Sequence, residues 1–415
     1  MAAIVAGSRA TVIPEACFPG RPDGGILGAG GHSGDVTSTA VPDIRIPNEL
    51  LPSDGRFGSG PSKVRPEALA ALASVGTTWM GTSHRQAPVK RVVASVRRGL
   101  AELLRLPDGY EVVLGNGGAT VFWDVAVFGL ISRRSQHLSF GEFSSKFATA
   151  VGDAPHLEPP RVITSPLGTH PEARPDDDVD LYALTQNETS TGVAMAPRRP
   201  EGVAPEAALV AVDATSAAGA MLFEPLEVDV YYFSPQKALA SDGGLWLAAC
   251  SPAALERVDQ VRASGRWMPP TLDLGTALDN SRKDQTLNTP ALATLFLLDE
   301  QLRWLNGNGG LEWAADRCRR SSTSLYSWAG ASHYARPFVA DPRQRSPVVG
   351  TIDLDPAIDA TTVCAVLRAN GVVDTESYRK LGRNQVRAGM YPAVEPDDVE
   401  ALTACIDHVA SALSG

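Results

Sequence analysis

Long apolar runs, paired cysteines and an excess of positive charge are all missing from this chain of 415 residues. No stretch reaches the roughly 18 apolar residues that a membrane-spanning helix requires. The N-terminus shows no basic segment followed by an unbroken apolar one, so a cytoplasmic protein without membrane contact is expected. The five cysteines, Cys17, Cys250, Cys318, Cys364 and Cys405, lie far apart with no C-x-x-C pair. Neither a zinc knuckle nor a redox pair follows from that spacing, no metal is expected, and a reducing compartment fits. A formal net charge of −10 argues against nucleic acid as a partner, because such binding draws its strength from lysine and arginine neutralising phosphates. What is present, 44% hydrophobic and 20% charged residues, is the balance of a globular protein. The length predicts two or three domains.

Residues 1–43 are rich in glycine, proline and serine, with little periodicity, and read as a flexible extension. From Pro61 onward, helical patterns alternate with short apolar runs. Helices are predicted over 89–104, 119–131, 143–151, 252–263, from near Pro290 to Leu305, and over 311–328, 360–370 and 395–413. Strands are predicted over 111–114, 181–185, 208–212, 228–233, 244–249, 348–354 and 385–389. Strands alternating with helices imply an α/β fold around a mostly parallel sheet flanked by helices. The glycines from Gly307 to Gly310 suggest a large domain over 44–306, its first residues packing with a smaller α+β domain over 307–415.

The strongest chemical signal is the strand ending at Phe233, followed by Ser234-Pro235-Gln236-Lys237. It delivers a lysine just past a strand's carboxyl end, where open α/β sheets bind ligands. Alone, such a lysine is a solvated loop residue. Asp213, however, closes the apolar run Ala208–Val212, and two strand ends then face one crevice. Pyridoxal phosphate chemistry needs this pair: a lysine that forms a Schiff base with the cofactor aldehyde and a carboxylate for the pyridinium nitrogen. The lysine, once displaced, can carry the substrate's α-proton. Asp213 could equally cap a helix. A third part is the turn Gly115-Asn116-Gly117-Gly118, where the amides of Gly118 and Ala119 at a helix N-terminus suit a phosphate, although glycine also serves turn geometry alone.

Several segments resemble the phosphoserine aminotransferase family, within the fold-type I, class V aminotransferases: Phe57-Gly58-Ser59-Gly60-Pro61, Gly81-Thr82-Ser83-His84-Arg85, Gly115–Thr120, Gln186-Asn187-Glu188-Thr189, Ser234–Lys237, Asn288-Thr289-Pro290 and Arg387-Ala388-Gly389-Met390. Their order along residues 56–413 carries the resemblance. It implies Lys237 as the Schiff-base lysine, Asp213 on the ring nitrogen, Thr189 on the ring hydroxyl, and Gly118, Ala119 and Gln236 on the cofactor phosphate. Asn288 and Thr289 would reach that phosphate from the second subunit of a homodimer with a shared site. Phe143 falls where many members place a tryptophan that stacks on the ring; an ordinary core aromatic is the other reading.

For the substrate, the resemblance implies that Arg387 clamps the α-carboxylate in a two-pronged bond, with Ser59 beside it. His84 and Arg85, from across the dimer, would hold the substrate phosphate. The chain departs from the family where a His-Arg pair usually precedes the carboxylate arginine: here stand Arg379-Lys380-Leu381-Gly382, either of whose cations could supply the missing contact. The implied reaction is amino transfer between L-glutamate and 3-phosphohydroxypyruvate, giving O-phospho-L-serine and 2-oxoglutarate in serine biosynthesis, with 4-phosphohydroxythreonine of pyridoxine biosynthesis as a further substrate of some members. The competing readings are a serine–pyruvate or alanine–glyoxylate aminotransferase, which would not need His84 and Arg85, and a catalytically silent cofactor-binding protein.

Overall fold

Apolar residues on both sides of the central strands decide the architecture. The computed structural model describes residues 41–414; the expected extension over 1–43 falls, but for its last three residues, outside them. The helices are α1 (Pro66–Trp79), α2 (Ala87–Leu103), α3 (Ala119–Gly129), α4 (Glu142–Gly152), α5 (Pro252–Ala263), α6 (Leu274–Ser281), α7 (Leu292–Gly307), α8 (Gly310–Ala331), α9 (Ala360–Ala369) and α10 (Pro396–Ser414). The strands are β1 (Glu111–Asn116), β2 (Ser135–Ser139), β3 (Arg161–Thr164), β4 (Leu181–Thr185), β5 (Asn187–Glu188), β6 (Val193–Ala194), β7 (Leu209–Asp213), β8 (Val230–Phe233), β9 (Leu245–Cys250), β10 (Ala335–Pro337), β11 (Val349–Leu354) and β12 (Gln385–Gly389).

Seven strands form the main sheet in the order β1-β9-β8-β7-β4-β2-β3. Strands β8, β7, β4, β2 and β3 run parallel, and β9 is antiparallel to both of its neighbours. Successive strand residues point to opposite faces. Val210, Val212, Tyr231, Phe233, Leu245 and Leu247 therefore pack on one side with Val89, Val93, Val96 and Leu100 of α2 and Leu295, Leu298, Leu302 and Leu305 of α7. Leu209, Ala211, Val230, Tyr232, Trp246 and Ala248 pack on the other with Phe122 and Trp123 of α3, Phe147 of α4 and Val258 of α5. A sheet covered on both faces needs such near-continuous apolar strands.

A second sheet, β10-β11-β12, is antiparallel. Ile352, Val386 and Met390 join Val363 and Leu367 of α9 and Leu402, Ile406 and Val409 of α10 in a separate core, which also takes in Ile46 and Phe57. The segment ahead of α1 is stitched there by Phe57, whose amide donates to Val373 O (3.2 Å) and whose carbonyl accepts from Gly389 N (2.7 Å). Helix α8 serves both cores: Leu311, Ala314 and Cys318 in the first, Leu325 and Ala329 in the second.

The predicted elements are present with shifted ends. Strand β1 runs through Gly115 and Asn116, so the break falls on Gly117 and Gly118 rather than at Gly115. Helices α1 and α6 and strands β2, β3, β5, β6 and β10 were not anticipated.

Candidate functional site

The carboxyl ends of β4, β7 and β8 lie side by side, in the register Thr185 to Asp213 and Asp213 to Tyr232. What each strand releases there shapes a cavity of about 340 Å³. Its wall includes Gly60, Gly118, Ala119, Trp123, Phe143, Thr185, Asn187, Thr189, Asp213, Ser216, Gln236 and Lys237. Six of the residues expected to hold the cofactor, together with Lys237, therefore meet in one place.

The Lys237 ammonium donates to Ser59 O at 2.9 Å and stands 5.9 Å from the centre of the Phe143 ring. Burial and then the nearby Arg387 charge lower its pKa to about 8, while Asp213 and Glu188 hold it up. Gly60 makes room for it: a side-chain carbon there would lie 1.8 Å from Lys237 Nζ. Ser59 itself is buried, and its hydroxyl has no partner.

Asp213 is buried on the cavity wall, with Thr215 N donating to one carboxylate oxygen (2.9 Å) and Trp123 Nε1 to the other (3.3 Å). Burial pushes its carboxyl up against the pull of these donors. Beside it the Thr189 hydroxyl donates to Ser216 Oγ (2.9 Å). Opposite, Gly118 caps α3, so the amides of the first helical turn open toward the cavity, where negative charge is favoured. Gln236 is bonded through its side chain to Ser234.

Arg387 stands behind this wall and is tied to it, its Nη1 donating to Thr189 O (3.2 Å). Its guanidinium carbon lies 5.5 Å from the Tyr378 ring centre, and its buried Nε has no partner. Burial lowers its pKa. His84 and Thr289 meet each other, Nδ1 to Oγ1 at 3.2 Å. Asn116, just ahead of the glycine turn, donates to Thr289 O (2.9 Å). His84 is buried with an unpartnered Nε2, and burial lowers its pKa; Arg85, Asn288 and Thr289 are exposed. None of the four lines the cavity of its own chain. Lys380 is ion-paired with Glu142 and lines a neighbouring cavity of about 320 Å³. Arg379 is exposed, and neither cation lies on the Lys237 cavity.

The wall fits pyridoxal phosphate: an amine, a buried carboxylate across from it, amides at a helix start and an apolar ring. Asn187, Ser216, Thr185 and Trp123 were missed from the sequence. Trp123 follows Ala119 by four residues, and that spacing places both on one face of α3.

The class V aminotransferase model matches residues 169–402. The chain is 62% identical over 366 residues to the phosphoserine aminotransferase of Nocardioides sp., covering 88% of this chain and 98% of that one. With the phosphoserine aminotransferase of Rhodococcus jostii it shares 60% over 378 residues, 91% of this chain and 100% of the other. This chain belongs to the class V aminotransferases, in the phosphoserine aminotransferase family. A phosphoserine aminotransferase structure from Cytophaga hutchinsonii superimposes with a TM-score of 0.78 at 21% identity, covering 85% of this chain and 99% of that one, which shows a shared fold. Among the described residues of this aminotransferase, no helix is long and apolar enough to cross a membrane, and no cluster of side chains could hold a metal ion.

Proposed function

We propose that the chain catalyses reversible amino transfer between L-glutamate and 3-phosphohydroxypyruvate, giving O-phospho-L-serine and 2-oxoglutarate, with pyridoxal phosphate as cofactor. The observation that carries this reading is the meeting of Lys237 and Asp213, from neighbouring strand ends, on one cavity of a chain so close in sequence to named phosphoserine aminotransferases. The cofactor, when bound, supplies a carbon that takes and returns the amino group and a ring that draws electrons from the substrate's α-carbon.

The residues divide the remaining work. Lys237 would anchor the cofactor and, once displaced, move the proton at the substrate's α-carbon; burial and the nearby Arg387 charge lower its pKa to about 8, the direction a base working in neutral solution needs. Asp213 would hold a proton on the ring nitrogen. Thr189 would receive the ring hydroxyl, Phe143 would cover one ring face, and Gly118, Ala119 and Gln236 would receive the phosphate. Arg387 holds the α-carboxylate common to both amino acids through its unpartnered Nε and remaining Nη2, with the Ser59 hydroxyl beside it.

In the same reading the enzyme is a homodimer. His84 and Thr289 touch each other, and none of His84, Arg85, Asn288 and Thr289 lines the cavity of its own chain, as expected of groups that complete a partner's site. Asn288 and Thr289 would reach the partner's cofactor phosphate, and His84 and Arg85 the substrate phosphate or the side-chain carboxylate of glutamate. Arg379, exposed one residue beyond Tyr378, is the better placed of the two shifted cations, since Glu142 already neutralises Lys380.

The test is the visible absorbance of protein loaded with pyridoxal phosphate, before and after L-phosphoserine, L-serine or L-alanine. A change with phosphoserine alone is expected. An equal response to serine or alanine would favour a broader class V aminotransferase, and no visible band at all would overturn the cofactor assignment.

A further inference from the structure

Glu188 is wholly buried beside the cavity, and among the described residues none of the ion pairs includes it. Its carboxylate is instead surrounded by donors: Phe143 N (3.1 Å), Ser144 N (2.9 Å), Ser144 Oγ (3.0 Å), Ser190 N (3.2 Å) and Ser190 Oγ (2.7 Å). Burial pushes the carboxyl's pKa up, and the Ser144 and Ser190 donors pull against it.

The amides of Phe143 and Ser144 belong to the first turn of α4, which a helix leaves without internal partners and where negative charge is favoured. Glu142 N is satisfied in the same way, by Ser190 Oγ at 3.1 Å. A usual cap comes from the residue just ahead of its helix; Glu188 is 44 positions away from Ser144 and next to Thr189, which lines the cavity. The approach is tight. A side-chain carbon on Gly141 would lie 2.3 Å from Glu188 Cγ, so a glycine stands where the carboxylate enters the helix start.

We infer that Glu188 is a positioning residue for the cofactor: it clamps the start of α4 to the Asn187–Thr189 segment and so sets where the Phe143 ring stands over the cavity. The inference rests on the pyridoxal phosphate reading above. Phe143 has one backbone tie at this end, to Glu188, while its ring stands 5.9 Å from the Lys237 ammonium. The same clamp aligns Thr189, whose carbonyl in turn holds Arg387. One buried carboxylate thus joins the residues assigned to the ring face, the ring hydroxyl and the substrate carboxylate.

The test uses full-length protein stripped of cofactor. Pyridoxal phosphate is titrated in, and affinity is read from the quenching of tryptophan fluorescence, since Trp123 lines the cavity; circular dichroism of the bound cofactor reports the ring's surroundings. Glu188→Gln keeps the shape but points an amide at amide donors, and should weaken cofactor binding about tenfold and change the dichroism. Phe143→Leu should weaken binding comparably, and the double variant should be no weaker than the worse single one, the non-additivity expected of residues acting as a unit. Ser190→Ala, a milder change, should weaken binding about threefold and keeps the test open if Glu188→Gln does not fold. A lower melting temperature with unchanged affinity and dichroism in these variants would reduce Glu188 to a structural role and overturn the inference, as would additive losses. Wild-type protein that takes up no pyridoxal phosphate would overturn the functional reading and this inference with it, whereas wild-type binding matched by Glu188→Gln would overturn this inference alone.

Discussion

Replacing Arg387 by lysine keeps the charge and removes the fork. The structure allots Nη1 to Thr189 O and leaves the buried Nε unpartnered, so Nε and Nη2 are the pair free to meet a carboxylate side-on. Lysine offers a point charge in place of that geometry. A hydrogen bond to a charged group contributes about 1.5–3 kcal/mol, so losing one of two prongs should lower kcat/KM by about 10- to 100-fold, at 1.4 kcal/mol for each factor of ten. Arg387→Ala loses both prongs, about 3–6 kcal/mol, and should cost at least about a hundredfold. The assay is the half-reaction: protein loaded with pyridoxal phosphate is mixed rapidly with L-phosphoserine or, separately, L-glutamate, and the absorbance change is followed against concentration. Both amino acids carry the same α-carboxylate, so both rates should fall by one factor. A loss confined to phosphoserine would place Arg387 at the phosphate instead. A lysine variant as fast as wild type would show that the fork is not used.

Lys237→Ala should abolish turnover, since both the cofactor's anchor and a proton carrier worth about 10²–10⁴ in rate disappear together; transamination persisting in that variant would remove the central claim. His84→Ala combined with Arg85→Ala should slow the reaction of phosphoserine by about a hundredfold and leave that of serine nearly unchanged, as two charge-assisted contacts to a phosphate are lost; an equal fall for both amino acids would refute a phosphate role. The amine of Lys237 must be neutral to add to an aldehyde, and its pKa is lowered to about 8. Cofactor uptake by the stripped protein should therefore speed up as pH rises and level off above about 8, and Arg387→Ala, which removes a charge that lowers this pKa, should move the midpoint upward; a midpoint unmoved by that substitution would separate the two residues electrostatically.

The groups that could be read from sequence are those announced by an abrupt change along the chain. Lys237 and Asp213 each follow an apolar run that must be a buried strand, and a polar residue released there faces the ligand edge of a sheet. Family motifs brought in Thr189, Arg387 and His84, which no periodicity singles out. The unread part has a common cause: polar groups that satisfy one another only once the chain is folded. Strand β2 reads Ser-Gln-His-Leu-Ser and looks like surface, yet Ser135 Oγ and His137 Nε2 lie 2.8 Å apart inside the sheet, which removes the penalty of burying them. Lys380 looked free for substrate because its partner Glu142 lies 238 positions away. Trp123 is one of many apolar residues in the helix predicted over 119–131, and its ring packs with Phe147, while its indole N–H turns to Asp213.

The two kinds of functional group also sit on different supports. Asp213 and Thr185 end adjacent strands paired in register, so their spacing is set by the sheet ladder itself, while Lys237 follows the end of the next strand in a turn and is held by its bond to Ser59 O. The groups proposed to read the substrate's phosphate stand outside that ladder, His84 and Arg85 on a turn and Arg379 on a short 3-10 helix, and none lies on the cavity of its own chain. In the proposed reading the amine and the carboxylate therefore come from one folded chain, whereas recognition of the second anion depends on what a partner brings up to the cavity.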